Sequence, residues 1–570
     1  MRISQALIRS GADEGFSFLG KHWNNSGTRE ARVKKILIYD TTLRDGTQGE
    51  GVAFSVPDKI QVARKLEELG IHYIEGGWPG SNEKDAEFFR QAAELTWKSA
   101  KLAAFGSTAM AKNQPEDDPN LLALVAAQTP AITIFGKSWD FHVSTALRIS
   151  LSRNRDLIRD SVAFLKAQGR EVIYDAEHFF DGFAANPKYA MQTLKAAADG
   201  GADMIVLCDT NGGSLPSHIQ NAIRKIQAEI SIPLGIHCHN DSEMAVANTL
   251  AAIECGVVMA QGTINGYGER CGNANLCSVI PNLEIKMGYK TIGSERLTLL
   301  TGAARFVSQI ANLPPRRDLP FVGKSAFAHK GGIHVSAIIR NPATYEHVLP
   351  EQVGNARRVL VSELSGKSNL LYKAHEMNLD IEQQEKLRPA LQKIKKLENE
   401  GYEFEAAEAS VRVIMETALN GEKEFFMIDN FRVITDMRGT GEFTSEATVK
   451  VRVNDRWEHT VAEGDGPVHA LDKALRLALN QFFEPLREVR LIDYKVRVLQ
   501  GEMGTASKVR VHIVQSDGVE NWTTVGVSEN ILEASYIALA DGIRYKLMNM
   551  DREARKGSIK KSKIKNQKSL

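Results

Sequence analysis

What the sequence lacks narrows what it can do. No window offers the roughly 18 uninterrupted apolar residues that a membrane-spanning helix needs, so the chain is expected to be soluble. Neither sign of charge prevails: 71 Lys and Arg stand against 70 Asp and Glu, which leaves no global field to draw nucleic acid or a membrane surface. Small anionic ligands stay open through local clusters. Cysteine is scarce, and Cys208, Cys238, Cys255, Cys271 and Cys277 are odd in number, lack CxxC spacing and lie within one stretch. That argues against a secreted disulfide framework and for a reducing cytoplasm. The first 34 residues hold no apolar signal-peptide core, and Asp13, Glu14 and Glu30 speak against a transit peptide.

What is present is ordinary globular material, 43 % hydrophobic and 25 % charged, and 570 residues predict two to four domains. Residues 1–34 are expected to be a poorly ordered extension, and residues 549–570, ending in "RKGSIKKSKIKNQKSL", a basic disordered tail. Residues 35–287 alternate eight short apolar runs, from "ILIYD" through "MIVLCD" to "AQGTI", with amphipathic stretches such as "PDKIQVARKLEELG". Eight strand-then-helix units in a segment of this length predict an α/β fold, a parallel (β/α)8 TIM barrel. The open doubly wound sheet is the alternative, but no GxGxxG turn follows the first strand. Residues 288–423 read as a mainly helical linker, and 424–548 as a βββα unit occurring twice.

A barrel places its chemistry at the C-terminal ends of its strands, and the polar clusters fall there. After strand one comes "DTTLRDG", after strand five "DAEHFFDG" and after strand six "CDTNGG"; strand seven ends in "HCHND" and strand eight runs into "INGYGERCGNAN". His237 and His239, two apart on a strand, point to one face and can share a divalent ion. Taken alone, HxH also describes hydrogen-bonded core histidines. Asp45, at the mouth of strand one, would add a carboxylate; by itself it could equally be a turn residue. Arg44 offers a planar fork of donors for a carboxylate or a polarised ketone, or a surface salt bridge. Thr210 could hold a carboxylate or close a turn, Gln48 could orient Arg44 or the substrate, and Glu177 is a proton-transfer candidate or a solvated loop acid.

"LRDGTQ" followed by Lys59, with "HCHND" and "GERCGNAN", resembles the metal-dependent acyl-CoA condensing enzymes on a TIM barrel: 2-isopropylmalate, homocitrate and citramalate synthases. The resemblance runs from residue 36 to about 548 and implies that the duplicated C-terminal domain is regulatory. It implies a divalent ion (Mg, Mn, Zn or Co) on Asp45, His237 and His239 with Asn273 as a fourth ligand, a 2-keto acid on Arg44 and Thr210, and catalysis involving Glu177. His334, in "GGIHVSAI", and Tyr345, in "TYEH", match groups expected to reach the barrel from a partner subunit. "IEGGWPGSNEKD", "YDAEHFFDGF" and "CDTNGG" look more like the citramalate synthase branch, which implies pyruvate and acetyl-CoA as substrates, isoleucine biosynthesis, isoleucine as effector and a homodimer. One departure is Glu243, where the family pattern after "HNDS" has Gly; a carboxylate there is expected to favour the start of a helix. "EGDGP" and "GVSEN", in equivalent places of the two βββα units, suggest an effector pocket between halves; simple dimerisation is the alternative. Other readings stay open: another keto acid, retro-aldol cleavage as in related lyases, and an amino-acid-binding regulatory protein on an inactive barrel.

Overall fold

The computed structural model describes residues 34–377, 379, 385, 387–437, 439, 441–499 and 507–567, with side chains as far as Arg552. The expected N-terminal extension lies outside the described residues except for Lys34. The described chain forms two units, one of residues up to 327 together with 346–357, the other of 328–345 and 358 onward.

The first unit is built on a closed barrel of eight parallel strands in sequence order: β1 (Leu37–Asp40), β2 (Tyr73–Gly77), β3 (Lys101–Ser107), β4 (Ala131–Lys137), β5 (Glu171–Glu177), β6 (Met204–Asp209), β7 (Leu234–Cys238) and β8 (Met259–Gly262). These are the eight runs read from the sequence. Closure comes from β1 pairing with β8, Asp40 opposite Gly262, as well as with β2. Strands β2, β6 and β7 are buried at every residue, because helices cover the outer face while side chains fill the lumen. The lumen is apolar toward the strand starts, where Tyr39, Tyr73, Ile173, Met204, Val206 and Met259 pack together. One layer higher the inward positions are polar: Glu75, Thr133, Asp175, His237 and Gln261, all buried.

The covering helices begin with strong local signals. Val56–Leu69 starts at a capping box of Ser55 and Asp58, carries Pro57 in its first turn and stops at Gly70 in the left-handed region. Its Lys59 is buried, donating to the Gly76 carbonyl and ion-paired with Asp85, whose other oxygen accepts from the Trp78 amide. This pair fastens the C-terminal end of β2 to two helices. Helix Leu300–Ile310, assigned by the sequence to the linker, instead belongs to the barrel unit: Leu300, Ala303 and Val307 join its core, and the Ala304 carbonyl accepts from Asn265.

The second unit contains helices Gly332–Arg340, Lys367–Glu376, Leu387–Asn399 and Glu408–Asn420, with a two-stranded parallel pair of β9 (Ala328–His329) and β10 (Arg358–Val359). The duplication follows. β11 (Met427–Met437), β12 (Phe443–Val453) and β13 (Arg456–Gly464) form an antiparallel sheet under helix Pro467–Leu479. β14 (Arg490–Val498), β15 (Val509–Ser516) and β16 (Asn521–Ser528) repeat it under a helix beginning at Ile531. The copies agree in detail: each first strand has a register shift at the same place, Ile428/Asn430 and Leu491/Asp493. Each third strand has a threonine bonded to a helix carbonyl, Thr460 to Ala474 and Thr524 to Ala538. Where the sequence predicts a disordered tail from residue 549, the backbone is helical as far as Gln567. Ala, Glu, Lys and Arg are good helix formers.

Removing the Lys59 ammonium strands the Asp85 carboxylate in the core. Lys59→Met is expected to cost about 3–5 kcal/mol, read as a lowered urea midpoint for the barrel transition.

Candidate active site

The site begins where β1 ends. Asp40 closes the strand and its carboxylate accepts from the amide and hydroxyl of Thr42; burial, partly offset by these bonds, raises its pKa to about 7. The chain then turns tightly, the Arg44 amide bonding the Thr41 carbonyl, so Arg44 and Asp45 project over the barrel mouth. Arg44 does not reach a surface partner. Its Nε donates to Glu75 Oε1 at 2.6 Å, its Nη1 lies 3.2 Å from Asp45 Oδ2, and its guanidinium lies 3.7 Å from the centre of the Phe105 ring. Glu75, fully buried, also accepts from the hydroxyls of Tyr39 and Thr41. Gln48, expected to orient Arg44 or the substrate, is exposed on the turn Gly46–Gln48; the side chain that holds Arg44 is Glu75, which sequence reading passed over.

His237 is the last residue but one of β7 and His239 follows the strand, with Nε2 atoms 3.3 Å apart and 3.5 and 3.9 Å from Asp45 Oδ2. The three ligand atoms lie within 4.8 Å of one another, all on buried residues, close enough to meet on one ion. The tautomer of His237 follows from its neighbours. Gln261 donates through Nε2 to Asp175 Oδ1, which turns its Oε1 toward His237 Nδ1 at 3.0 Å. His237 therefore carries its proton on Nδ1 and a lone pair on Nε2, facing Asp45 and His239. Burial raises Asp175 well above the usual carboxylate range, and the charge of Glu75 adds to this.

Asn273 reaches the same place from the loop after β8. Its backbone bridges to His239, its Nδ2 donates to Asp45 Oδ1 at 3.0 Å, and its Oδ1 is a buried acceptor without a partner among the described residues. The approach needs glycine at 268, whose φ is 154° and where a Cβ would stand 2.1 Å from the Asn273 amide nitrogen. An unsatisfied oxygen beside one carboxylate and two imidazoles is the donor set of a divalent-ion site, so the residues present fit such an ion. The charge states fit as well. Burial alone would raise Asp45, but Arg44, His237, His239 and Asn273 hold it down at about 2. Burial lowers both histidines, His239 to about 4 with the help of His237.

Around this centre, Glu177 ends β5 and is ion-paired with Lys137 at the end of β4. Thr210 Oγ1 accepts from the His178 amide at 2.9 Å, leaving its own proton free to donate, and its carbonyl accepts from Arg270, itself paired with Asp241. Glu243 lies at φ 60°, two residues before helix Ala245–Glu254. Its backbone, more than the helix start, accounts for glycine in the family pattern. His334 and Tyr345 belong to the second unit, where they stack with ring centres 4.1 Å apart and are exposed. Besides Glu75, sequence reading missed Asp175, Gln261 and Lys137. For Glu75 and Gln261 the signal was there, since each is the one charged or amide side chain of its strand; Asp175 and Lys137 share their strands with other polar residues.

A parallel barrel with an Arg-Asp pair after β1 and two histidines at the end of β7 defines a class, and residues 35–301 match the HMGL-like family. Residues 321–402 match the homocitrate synthase post-HMGL domain-like family, and 405–547 the LeuA allosteric (dimerisation) domain. The chain is 56 % identical over 514 residues to the (R)-citramalate synthase of Geobacter sulfurreducens, covering 90 % of this chain and 97 % of the relative. It is 52 % identical to that of Aquifex aeolicus, covering 91 % and 99 %, and 51 % identical to that of Synechocystis, covering 90 % and 96 %. The chain belongs to the (R)-citramalate synthase family. Among the described residues no helix is long and apolar enough to cross a membrane.

An exposed histidine gives up a metal as it takes on a proton near its ordinary pKa of about 6.5. With His239 held at about 4, affinity for added Mn is expected to stay level from about pH 8 to about pH 6 and to fall only below about pH 5. Calorimetric titration across that range checks this, a tenfold loss by about pH 6 being the contrary result.

Proposed function

We propose that this chain condenses acetyl-CoA with pyruvate and hydrolyses the thioester, giving citramalate and free CoA. The observation that carries it is the meeting of Arg44 with Asp45, His237 and His239 at one end of a closed barrel, in a chain of this family. A divalent ion on Asp45, His237, His239 and Asn273 would polarise the keto group of pyruvate as a Lewis acid.

The chain's own residues supply the rest. Arg44, held by Glu75, presents its remaining N–H groups to the oxygen of the keto carbon, where negative charge grows as the new C–C bond forms. Because Glu75 and Phe105 already fix the guanidinium, little reorganisation is needed during the reaction. The Thr210 hydroxyl donates to the pyruvate carboxylate. Glu177 accepts a proton from the acetyl methyl, directly or through water, with Lys137 beside it. His334 and Tyr345 complete the site from a partner subunit. Exposed Trp457 and Val461 on β13 and Ile492 and Val496 on β14 support pairing of two copies at the C-terminal domain, where isoleucine acts as effector. The complete donor set argues against an inactive barrel.

The direct test is CoA release from acetyl-CoA in the presence of Mg or Mn with each of four keto acids: pyruvate, 2-oxobutyrate, 2-oxoisovalerate and 2-oxoglutarate. Pyruvate should be preferred, with turnover lost in Asp45→Ala or with EDTA; preference for another keto acid would keep the family and overturn the substrate. Arg44→Lys, which keeps the charge but loses the fork held by Glu75, is expected to lower kcat about 10²- to 10³-fold. A change confined to KM would show that Arg44 only binds.

A further inference from the structure

The loop after β6 that carries Thr210 continues with Asn211, Gly212 and Gly213. Gly212 lies at φ 62°, where a Cβ would stand 2.5 Å from an Asp241 oxygen. Two adjacent glycines leave such a loop many conformations, yet the Thr210 hydroxyl serves a carboxylate from only one of them. Attachments from three neighbouring loops select it.

Two of the attachments are backbone amides that any residue could supply. The His178 amide, after β5, donates to Thr210 Oγ1 at 2.9 Å, and the Ser242 amide, after β7, donates to the Gly212 carbonyl at 3.1 Å. The third depends on one side chain. Arg270, after β8, donates through Nε to Asp241 Oδ1 at 2.7 Å and through Nη2 to Asp241 Oδ2 at 3.0 Å. The other Nη2 hydrogen reaches the Thr210 carbonyl at 2.7 Å. One planar fork thus joins the loops after β6, β7 and β8, which the compact ammonium of a lysine does not match.

The arrangement is strained. The Arg270 backbone stands at φ 56°, in the left-handed region. Its pair with Asp241 is partly open to water, the side chains 40 % and 24 % exposed, and such a pair adds little to stability. Strain kept for a weak surface pair has its use elsewhere, and what Arg270 reaches is Thr210. Held at its carbonyl by Arg270 and at its hydroxyl oxygen by His178, Thr210 has both its backbone and its χ1 fixed, so its hydroxyl hydrogen keeps one aim.

We propose that Arg270 is a positioning residue for the keto acid: without touching the substrate, it holds the loop after β6 so that the Thr210 hydroxyl meets the substrate carboxylate. The assignment rests on the proposed condensation and on the part that reading gives Thr210.

The experiment uses the full-length protein with Mn and reads the KM for pyruvate in Thr210→Val, Arg270→Lys and the double variant. Each single change is expected to raise that KM about tenfold, with kcat and the KM for acetyl-CoA changed less than about threefold, the pattern of lost substrate binding. Because Arg270 acts through Thr210, the double variant should be no worse than the poorer single variant, whereas independent parts would multiply to about a hundredfold. Asp241→Asn, which loosens Arg270 without removing it, should shift the same KM in the same direction. Asn273 lies on the loop of Arg270, so the Mn affinity of Arg270→Lys, measured by calorimetry and expected within about twofold of wild type, shows that this loop keeps its shape. Effects that multiply, a pyruvate KM unchanged in both Arg270→Lys and Asp241→Asn, or Mn affinity lost in step with that KM would overturn the assignment alone. A wild-type protein without turnover on pyruvate would overturn the condensation reading and this assignment with it.

Discussion

A carboxylate sealed inside a barrel costs several kcal/mol unless its oxygens are met by donors. Glu75 is so sealed, and its donors all come from one short stretch of chain: Tyr39 in β1, and Thr41 and Arg44 just beyond it. The arrangement at the mouth follows from that constraint. Because Arg44 must satisfy Glu75 through Nε, its flat face lies on Phe105 and its outer nitrogens point toward Asp45. Because Arg44 is held, its neighbour Asp45 is held too, opposite the two histidines that β7 delivers.

The lumen is organised by polarity along its axis. Its lower layer is hydrocarbon, and the layer above is a chain of polar groups that runs from Asp175 through Gln261 to His237 and so selects which imidazole nitrogen faces the centre. Crowding acidic groups there is possible because they differ in what they meet: Asp45 faces a guanidinium and two imidazoles, whereas Asp175 has an amide and a nearby like charge. The same burial that pushes Asp175 toward its neutral form keeps the histidines unprotonated, so the centre stands ready for a cation at neutral pH.

The eight strands were legible because a parallel sheet buried on both faces writes itself as unbroken apolar runs. Asp45, His237 and His239 were legible as well, since polar types concentrate at the ends of those runs. Glu75 and Gln261 escaped notice because each stands alone in its strand, and Asp175 because Glu177 at the end of the same strand carries the stronger polar signal; only the inward alternation of a closed barrel brings the three together. Gln48 was credited in place of Glu75 for a related reason: closeness in sequence is a poor guide to contact when a turn sends successive side chains apart. Helix Leu300–Ile310 was misplaced because its apolar stripe does not say which core it joins.

The seam of the barrel also sets an order in time. β1 cannot find its second neighbour until β8 has been made, and Asp45 cannot meet His237 and His239 until β7 is in place. At roughly 5–20 residues per second on a ribosome, Arg44 and Asp45 wait for on the order of ten seconds or more with no partner across the mouth. Over that interval Glu75, synthesised soon after them, can already engage Arg44, Thr41 and Tyr39, since β1 and β2 are adjacent. The first βαβ piece of the barrel to emerge therefore carries, together with the groups that neutralise it, the acid that closure will bury, and the meeting of Asp45 with both histidines is among the last events in the nascent domain.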